Sequence, residues 1–294
     1  MSSIIISDEN QKPVTVRSIQ DFKTRKEKIT MLTAYDFMFA KLADQAGIEM
    51  VLVGDSLGMV IQGHHDTLGV TIEQMIYHTQ AVKRGLKRAF LISDMPFLSF
   101  QNSKEHALEN AGRLIKEGGA QAVKLEGGNE FFETIQYIRR ASIPVMGHLG
   151  LTPQSIHDFG GFIAQGKNYA QAKKLLEDAK SLEEAGCFSI VLESIPEELA
   201  EEITNNLHIP TIGIGAGSFC DGQVLVCYDL LHLNADFLPK FVKPYTHLHQ
   251  VVLSAYKTFV SEVKQGIFPS EEHRISLPHI LNDDRLSSKK KTNG

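Results

Sequence analysis

The sequence feature that most constrains the fold is a repeated alternation between short apolar runs and longer amphipathic segments. The short runs are mainly apolar rather than alternating with polar residues, which predicts strands buried on both faces, as in a parallel sheet. The predicted strands are 29–33, 50–53, 89–93, 122–125, 145–147, 189–192, 211–214 and 237–241. The predicted helices between them are 37–46, 72–84, 104–117, 130–140, 169–185, 196–206 and 223–231.

This order of elements predicts a single α/β domain, because strands and helices alternate without a Pro-, Gly- or Ser-rich linker. Eight units within 294 residues favour a closed (β/α)₈ TIM barrel, although a doubly wound open sheet would also use them. We expect one barrel domain over 1–281 with N- and C-terminal extensions. A final helix near 249–265 would pack outside the barrel or against a neighbouring subunit. The polar, basic stretch 282–294 is predicted to be a disordered tail.

Composition excludes several classes of protein. The net charge of −5 and pI near 6.2 argue against general affinity for nucleic acid, which requires a basic face. Three cysteines are too few and wrongly spaced for a disulfide framework and fit a reducing compartment. No apolar run approaches the roughly 20 residues that cross a bilayer, and the first residues lack signal-peptide features. We therefore expect a cytoplasmic protein without nucleic-acid or membrane partners.

Acidic residues follow four of the predicted strands. Asp55 follows the second strand, Asp94 and Glu126 follow the third and fourth, and Glu193 follows the sixth. In a barrel the carboxyl ends of the strands converge on the mouth that holds the active site, so these side chains would face one another. The sequence therefore predicts a cluster of four carboxylates.

Carboxylates that lie close together need a cation or several hydrogen-bond donors to remain ionised. Oxygen ligands from neighbouring strands suit Mg²⁺, which keeps positions open for water and substrate oxygens. Each acid could instead cap the following helix or pair with an Arg or Lys. That alternative is weaker for several successive strand ends than for any single one.

Three further side chains are candidates for this mouth. Lys124 lies two residues before Glu126, so both should point to the interior, where a cation could neutralise the site or bind a substrate carboxylate. A structural ion pair is the alternative for Lys124. His148 ends the fifth strand and is a candidate donor or a structural histidine. Ser56 could be a helix N-cap or a substrate donor, and the spacing does not decide between them.

Other motifs predict less chemistry. The glycine-rich run 213–217 resembles a phosphate-binding loop, but glycines here more often permit close packing. Cys187 precedes the sixth strand, at the end opposite the mouth, so we do not expect a nucleophile there. His64, His65 and Asp66 are adjacent and should point apart, and we interpret 58–69 as a mobile loop that could cover the site.

Several blocks of this sequence together resemble the ketopantoate hydroxymethyltransferase family, over about 29–272. The blocks are TAYD at 33–36, VGDSLGM at 53–59, VKLEGG at 123–128, GHLGLTPQS at 147–155 and IGIGAG at 212–217. The resemblance implies a barrel of the phosphoenolpyruvate/pyruvate-utilising type, assembled as a homodecamer. It also implies a place in pantothenate and coenzyme A biosynthesis.

The resemblance further implies roles for residues of the mouth. One Mg²⁺ per subunit would bind Asp55, Asp94 and Glu126. The 2-oxo acid would contact Ser56 and Lys124 together with Asp55 and Asp94, and His148 would lie near it. Glu193 would be the proton acceptor, either at C3 of the 2-oxo acid or in the proton transfers that release the one-carbon unit from the folate.

The activity implied is transfer of a hydroxymethyl group from 5,10-methylenetetrahydrofolate to 3-methyl-2-oxobutanoate, through a Mg²⁺-stabilised enolate, giving 2-dehydropantoate (ketopantoate). One alternative is a Mg²⁺-dependent enzyme resembling isocitrate lyase or phosphoenolpyruvate mutase, which would share the barrel but not use folate. The other is a non-catalytic metabolite-binding barrel, which predicts degraded acids at the strand ends. Here all four acids are intact.

Overall fold

Eight parallel strands close into a barrel in the computed structural model, which describes residues 12–275. They are β1 (Ile29–Thr33), β2 (Met50–Val53), β3 (Phe90–Asp94), β4 (Ala122–Glu126), β5 (Val145–Gly150), β6 (Ser189–Glu193), β7 (Thr211–Ile214) and β8 (Gly222–Leu225). The strands pair in sequence order, and β8 closes the barrel by pairing with β1 through Ile29 and Gly222. The predicted (β/α)₈ TIM barrel is confirmed, and the open sheet is excluded.

Helices surround the barrel. They are α1 (Val16–Arg25), α2 (Phe37–Gln45), α3 (Leu57–Val60), α4 (Ile72–Gly85), α5 (Lys104–Arg113), α6 (Phe132–Arg140), α7 (Ile156–Phe159), α8 (Tyr169–Ala185), α9 (Glu197–Asn206), α10 (Cys227–Leu230) and α11 (Leu248–Gln265). Local sequence explains several helix starts, because the side chains of Thr15, Thr71 and Asn168 accept hydrogen bonds from free N–H groups of the first turn.

Alternate strand residues pack into two separate cores. Residues such as Val123 and Leu125 face outward, against the surrounding helices. Ala122, Met146 and their counterparts on the other strands fill the barrel interior, and Ile19 of α1 joins this inner core. The inner core occupies the amino-terminal part of the barrel, which leaves the carboxyl-terminal mouth to polar side chains.

The predicted eighth strand at 237–241 is wrong. The chain forms β8 at Gly222–Leu225, which overlaps the start of the segment 223–231 predicted to be a helix; within that segment, Cys227–Leu230 is helical. Phe237 is exposed, and Pro239 has no N–H to contribute to a ladder. The other seven strands lie where they were predicted, with ends shifted by at most three residues.

Two terminal features complete the chain. The predicted final helix is present as α11, and none of its residues is buried within this chain. The predicted tail at 282–294 lies outside the described residues. No helix among residues 12–275 is long and apolar enough to cross a membrane.

Candidate active site

The alternation of the strands directs the predicted acids into the mouth. On β3, Phe90 and Ile92 point into the inner core, so Asp94, two residues further, points inward as well. On β4 the same alternation directs Lys124 and Glu126 inward. Asp94, Lys124 and Glu126 are all buried, and the predicted common face of Lys124 and Glu126 is confirmed.

Strand register places Lys124 beside Asp94. The two residues are partners in the β3–β4 ladder, and Lys124 Nζ lies 2.9 Å from Asp94 Oδ1. Burial opposes the charge of Lys124, but the carboxylates of Asp94, Glu126 and Asp55 outweigh it and raise the pKa of the ammonium. Lys124 therefore supplies a fixed positive charge at the floor of the mouth.

Asp55 and Asp94 lie next to each other at the ends of β2 and β3. The Asp55 N–H donates to Asp94 Oδ2 at 3.1 Å, so the backbone after β2 is joined to the side chain that ends β3. Gly54 permits this approach, because a Cβ there would lie 2.7 Å from Ser56 Oγ and 3.4 Å from Asp94 Oδ2. Burial, followed by the charges of Asp94 and Glu126, raises the pKa of Asp55 well above its ordinary value.

His148 connects the fourth carboxylate to the rest of the site. It is the register partner of Glu126, and its Nδ1 lies 3.5 Å from Glu126 Oε1 and 3.2 Å from Lys124 Nζ. Its Nε2 lies 3.1 Å from Glu193 Oε2. Burial and Lys124 act to lower the pKa of His148, but hydrogen bonding to Glu126 and Glu193 outweighs them and raises it.

Ser56 occupies the N-cap position of α3, as one of its two interpretations expected, but its side chain forms no capping hydrogen bond. Its Oγ instead lies 2.8 Å from the hydroxyl of Tyr35, a buried residue that follows β1. The Ser56 hydroxyl is thus held in place at the mouth beside Asp55.

Gln154 belongs to this site, and the sequence reasoning did not single it out. It lies in the short helical turn Pro153–Ser155 after β5 and is buried. Its side chain donates to Asp55 Oδ2 at 2.8 Å, and its backbone N–H donates to Glu126 Oε2 at 2.9 Å. The only sequence signal for it is its position within the 147–155 block quoted above.

Four carboxyl groups thus share the mouth with one ammonium and one imidazole, so acidic groups outnumber basic ones. Within residues 12–275, no group of three or more His, Cys, Asp or Glu side chains is arranged as it stands to hold a metal ion. Asp94 is instead paired with Lys124, and Asp55 with Gln154. The cluster therefore offers carboxylate oxygens that could bind a metal ion, and it holds fewer cationic than acidic side chains.

The discounted motifs take no part in this cluster. Cys187 is buried before β6, and burial raises its thiol pKa to about 12, which disfavours the reactive thiolate. In the segment 58–69, Asp66 accepts a hydrogen bond from the Leu68 N–H, and Thr67 is buried. In the glycine-rich run, Gly215 has a positive φ of 62° and approaches the ring of Phe241, which supports the packing interpretation.

Known proteins resemble this chain over most of its length. The ketopantoate hydroxymethyltransferase family profile matches residues 13–271. The 3-methyl-2-oxobutanoate hydroxymethyltransferase of Clostridium kluyveri is 57% identical over 261 residues, which cover 89% of this chain and 93% of the relative. The enzyme of the same name from Clostridium botulinum is 54% identical over 263 residues, covering 90% and 96%.

Solved structures with much lower identity share the fold. A phosphonopyruvate hydrolase in complex with oxalate and Mg²⁺ aligns with a TM-score of 0.58 at 13% identity, covering 93% of this chain and 97% of that chain. A 2,3-dimethylmalate lyase of the phosphoenolpyruvate mutase/isocitrate lyase superfamily aligns with a TM-score of 0.58 at 14% identity, covering 93% and 94%. These likenesses establish the barrel architecture.

Proposed function

The chain belongs to the ketopantoate hydroxymethyltransferase family, and from this premise we propose that it transfers a hydroxymethyl group from 5,10-methylenetetrahydrofolate to 3-methyl-2-oxobutanoate. The product is 2-dehydropantoate, which places the enzyme in pantothenate biosynthesis. The observation that carries the proposal is the joining of Asp55, Asp94, Lys124, His148 and Glu193 into one mouth by the contacts described above.

Lys124 and Ser56 are the groups best suited to bind the substrate. A 2-oxo acid carries a carboxylate and a carbonyl oxygen side by side, and both accept hydrogen bonds. Lys124 is cationic and fixed, whereas Ser56 offers a hydroxyl already oriented by Tyr35. Asp55 and Asp94 border the same space. These residues would orient the substrate with its C3 toward β6.

Asp55, Asp94 and Glu126 would hold a divalent cation, for which we propose Mg²⁺, one per subunit. The donors fit this ion because they are carboxylate oxygens that crowd together in one buried site, and Mg²⁺ prefers oxygen ligands and keeps positions for waters and substrate oxygens. When bound, the ion supplies Lewis-acid stabilisation of charge that develops on the substrate carbonyl.

Glu193 is the proposed proton acceptor. It ends β6 and is the least buried of the four acids, with a side-chain exposure of 17%, so it reaches the space above the others. Its Oε2 lies 3.1 Å from His148 Nε2. The proton at C3 of the substrate and the proton transfers at the folate are both compatible with this position.

We propose that the enzyme works as a homo-oligomer, with the decamer as the assembly implied by family resemblance. Apolar side chains of α11 support association of some kind, because Leu253, Tyr256, Phe259 and Val263 are all exposed on this chain.

The test is hydrogen–deuterium exchange at C3 of 3-methyl-2-oxobutanoate in D₂O, followed by NMR with and without Mg²⁺ and then with methylenetetrahydrofolate. We expect Mg²⁺-dependent exchange, and 2-dehydropantoate once folate is added. Folded protein supplied with metal that gives neither exchange nor product would overturn the proposal.

Two variants distinguish the roles of Glu193. Glu193→Gln should slow C3 exchange by about 10²–10⁴-fold, the usual contribution of a general base. If exchange persists at the full rate while product formation is lost, Glu193 acts on the folate instead. Glu197→Gln is the matched control, because Glu197 follows the same strand but its carboxylate accepts hydrogen bonds from Ser218.

A further inference from the structure

Gln154 has no role among the proposed substrate, metal and proton-transfer groups, yet it contacts two of them. It is reached from the loop after β5, whereas Asp55 lies after β2, on the far side of the mouth. The Gln154 side chain therefore reaches past the intervening strands β3 and β4 to contact Asp55. It is also buried, so each of its polar groups requires a partner.

The side-chain amide of Gln154 has one possible orientation. Its Nε2 lies 2.8 Å from Asp55 Oδ2 and 3.0 Å from the carbonyl oxygen of Met95, and a backbone carbonyl oxygen can only accept a hydrogen bond. The nitrogen must therefore face them. Its Oε1 accepts from Gln101 Nε2 at 3.0 Å, which fixes the other end of the amide. All the hydrogen-bonding directions of this amide are set by residues from β2, β3 and their loops.

This arrangement fixes the rotation of the Asp55 carboxylate. A carboxylate with Oδ2 held at 2.8 Å by a rigid donor points Oδ1 in one direction, whereas an unheld one rotates about its last bond. The backbone N–H of Gln154 holds Glu126 Oε2 at the same time. One residue thus orients two of the three proposed cation ligands, Asp55 with its side chain and Glu126 with its backbone.

We propose that Gln154 is a positioning residue that sets Asp55 in the orientation in which it binds the divalent cation. The inference rests on the proposed function, because it requires the cation site. The two hydrogen bonds of Gln154 can be tested separately. A side-chain substitution removes the bond to Asp55 but leaves the backbone N–H that donates to Glu126.

The test measures Mn²⁺ binding to the metal-free full-length protein by electron paramagnetic resonance, which counts free Mn²⁺ directly. Gln154→Met keeps the length and shape of the side chain but removes both amide donors. We expect its Kd for Mn²⁺ to rise by about 10–100-fold, as is usual when a group that orients a ligand is lost. The melting temperature of the metal-free variant reports separately on the fold.

Gln121→Met is the matched control. Gln121 is also a partly buried glutamine that accepts a backbone hydrogen bond, from Leu91, but it lies before β4 at the opposite end of the barrel. Its substitution should leave Mn²⁺ affinity within about twofold. Gln154→Asn provides a second variant that keeps a buried amide but is one methylene too short to reach Asp55, and it decides the question if Gln154→Met does not fold.

The outcomes separate the inference from the function on which it rests. Wild-type affinity in a folded Gln154 variant, with or without a lower melting temperature, would overturn the positioning role and leave Gln154 as a tether of the loop. A wild-type protein that binds no Mn²⁺ would instead overturn the proposed cation site itself. Weaker Mn²⁺ binding with a melting temperature close to wild type supports the inference.

Discussion

Replacing Lys124 by Met should destabilise the protein by about 3–5 kcal/mol, the usual cost of removing one partner of a buried ion pair. Lys124 and Asp94 side chains are each only 5% exposed, so water cannot compensate the charge left behind. At 2.9 Å their attraction is about 6 kcal/mol with an effective dielectric constant near 20, before desolvation is subtracted. Asp55 and Glu126 add to the loss, because their charges also act on Lys124.

The assay is urea unfolding of the metal-free protein, followed by circular dichroism at a single protein concentration. Lys173→Met is the matched control, because Lys173 pairs with Glu177 on the surface of α8 with both side chains more than half exposed. Exposed pairs of this kind contribute about 0–1 kcal/mol, so the control should unfold close to wild type.

A double variant makes the reasoning refutable. Asp94→Asn keeps the shape of the side chain and an oxygen that can still accept from the Asp55 N–H. Combined with Lys124→Met, it removes both charges of the pair, and the double variant should be more stable than the sum of the single losses predicts. Additive losses, or a loss below about 1 kcal/mol for Lys124→Met alone, would show that the pair does not hold the mouth together.

Two further perturbations test the barrel and its pH dependence. Gly150→Ala should lower the free energy of unfolding by about 1–3 kcal/mol or more, measured by thermal unfolding. Gly150 has a φ of 96°, and an added Cβ would collide with the backbone carbonyl of Glu193. A variant as stable as the wild type would contradict this. Burial raises the pKa of Asp229 from 3.8 to about 6. The folded chain therefore binds this proton more tightly than the unfolded chain does, and the free energy of unfolding falls as the pH rises from about 3.8 to about 6. Asp229→Asn should therefore be more stable than wild type at pH 7.5 but not at pH 3.5, as measured by urea unfolding. If the variant and the wild type differ in free energy of unfolding by the same amount at both pH values, the raised pKa of Asp229 is refuted.

The barrel could be predicted because its strands are apolar on both faces, and this pattern can be recognised in a single sequence. The exception shows where the pattern fails. Residues 222–225 form a strand of four, too short for periodicity to separate it from the helix that follows. The apolar run 237–241 matches a strand equally well in composition. What decides between them is pairing with β1 and β7, a tertiary property that neither segment displays alone.

The acids of the site could be predicted for a different reason. Strand alternation fixes which residues point inward, and the carboxyl ends of barrel strands converge, so Asp94 and Glu126 follow from position alone. His148 was predicted as a candidate on the same grounds, but its contact with Glu193 was not. That contact depends on the register of β5 against β6, which pairs His148 with Val191 and so brings Glu193 within reach.

The groups that orient the side chains of the site could not be found by position, because each follows a strand other than the one whose side chain it contacts. Tyr35 follows β1 and holds Ser56 after β2, while Gln154 follows β5 and holds Asp55 across the mouth, 99 residues away in sequence. Neither contact exists unless the barrel is closed, since only closure brings these loops to one space. It follows that the orientation of Asp55 depends on the loop after β5 as much as on β2. A substitution that shifts this loop should therefore weaken cation binding without touching any of the proposed ligands.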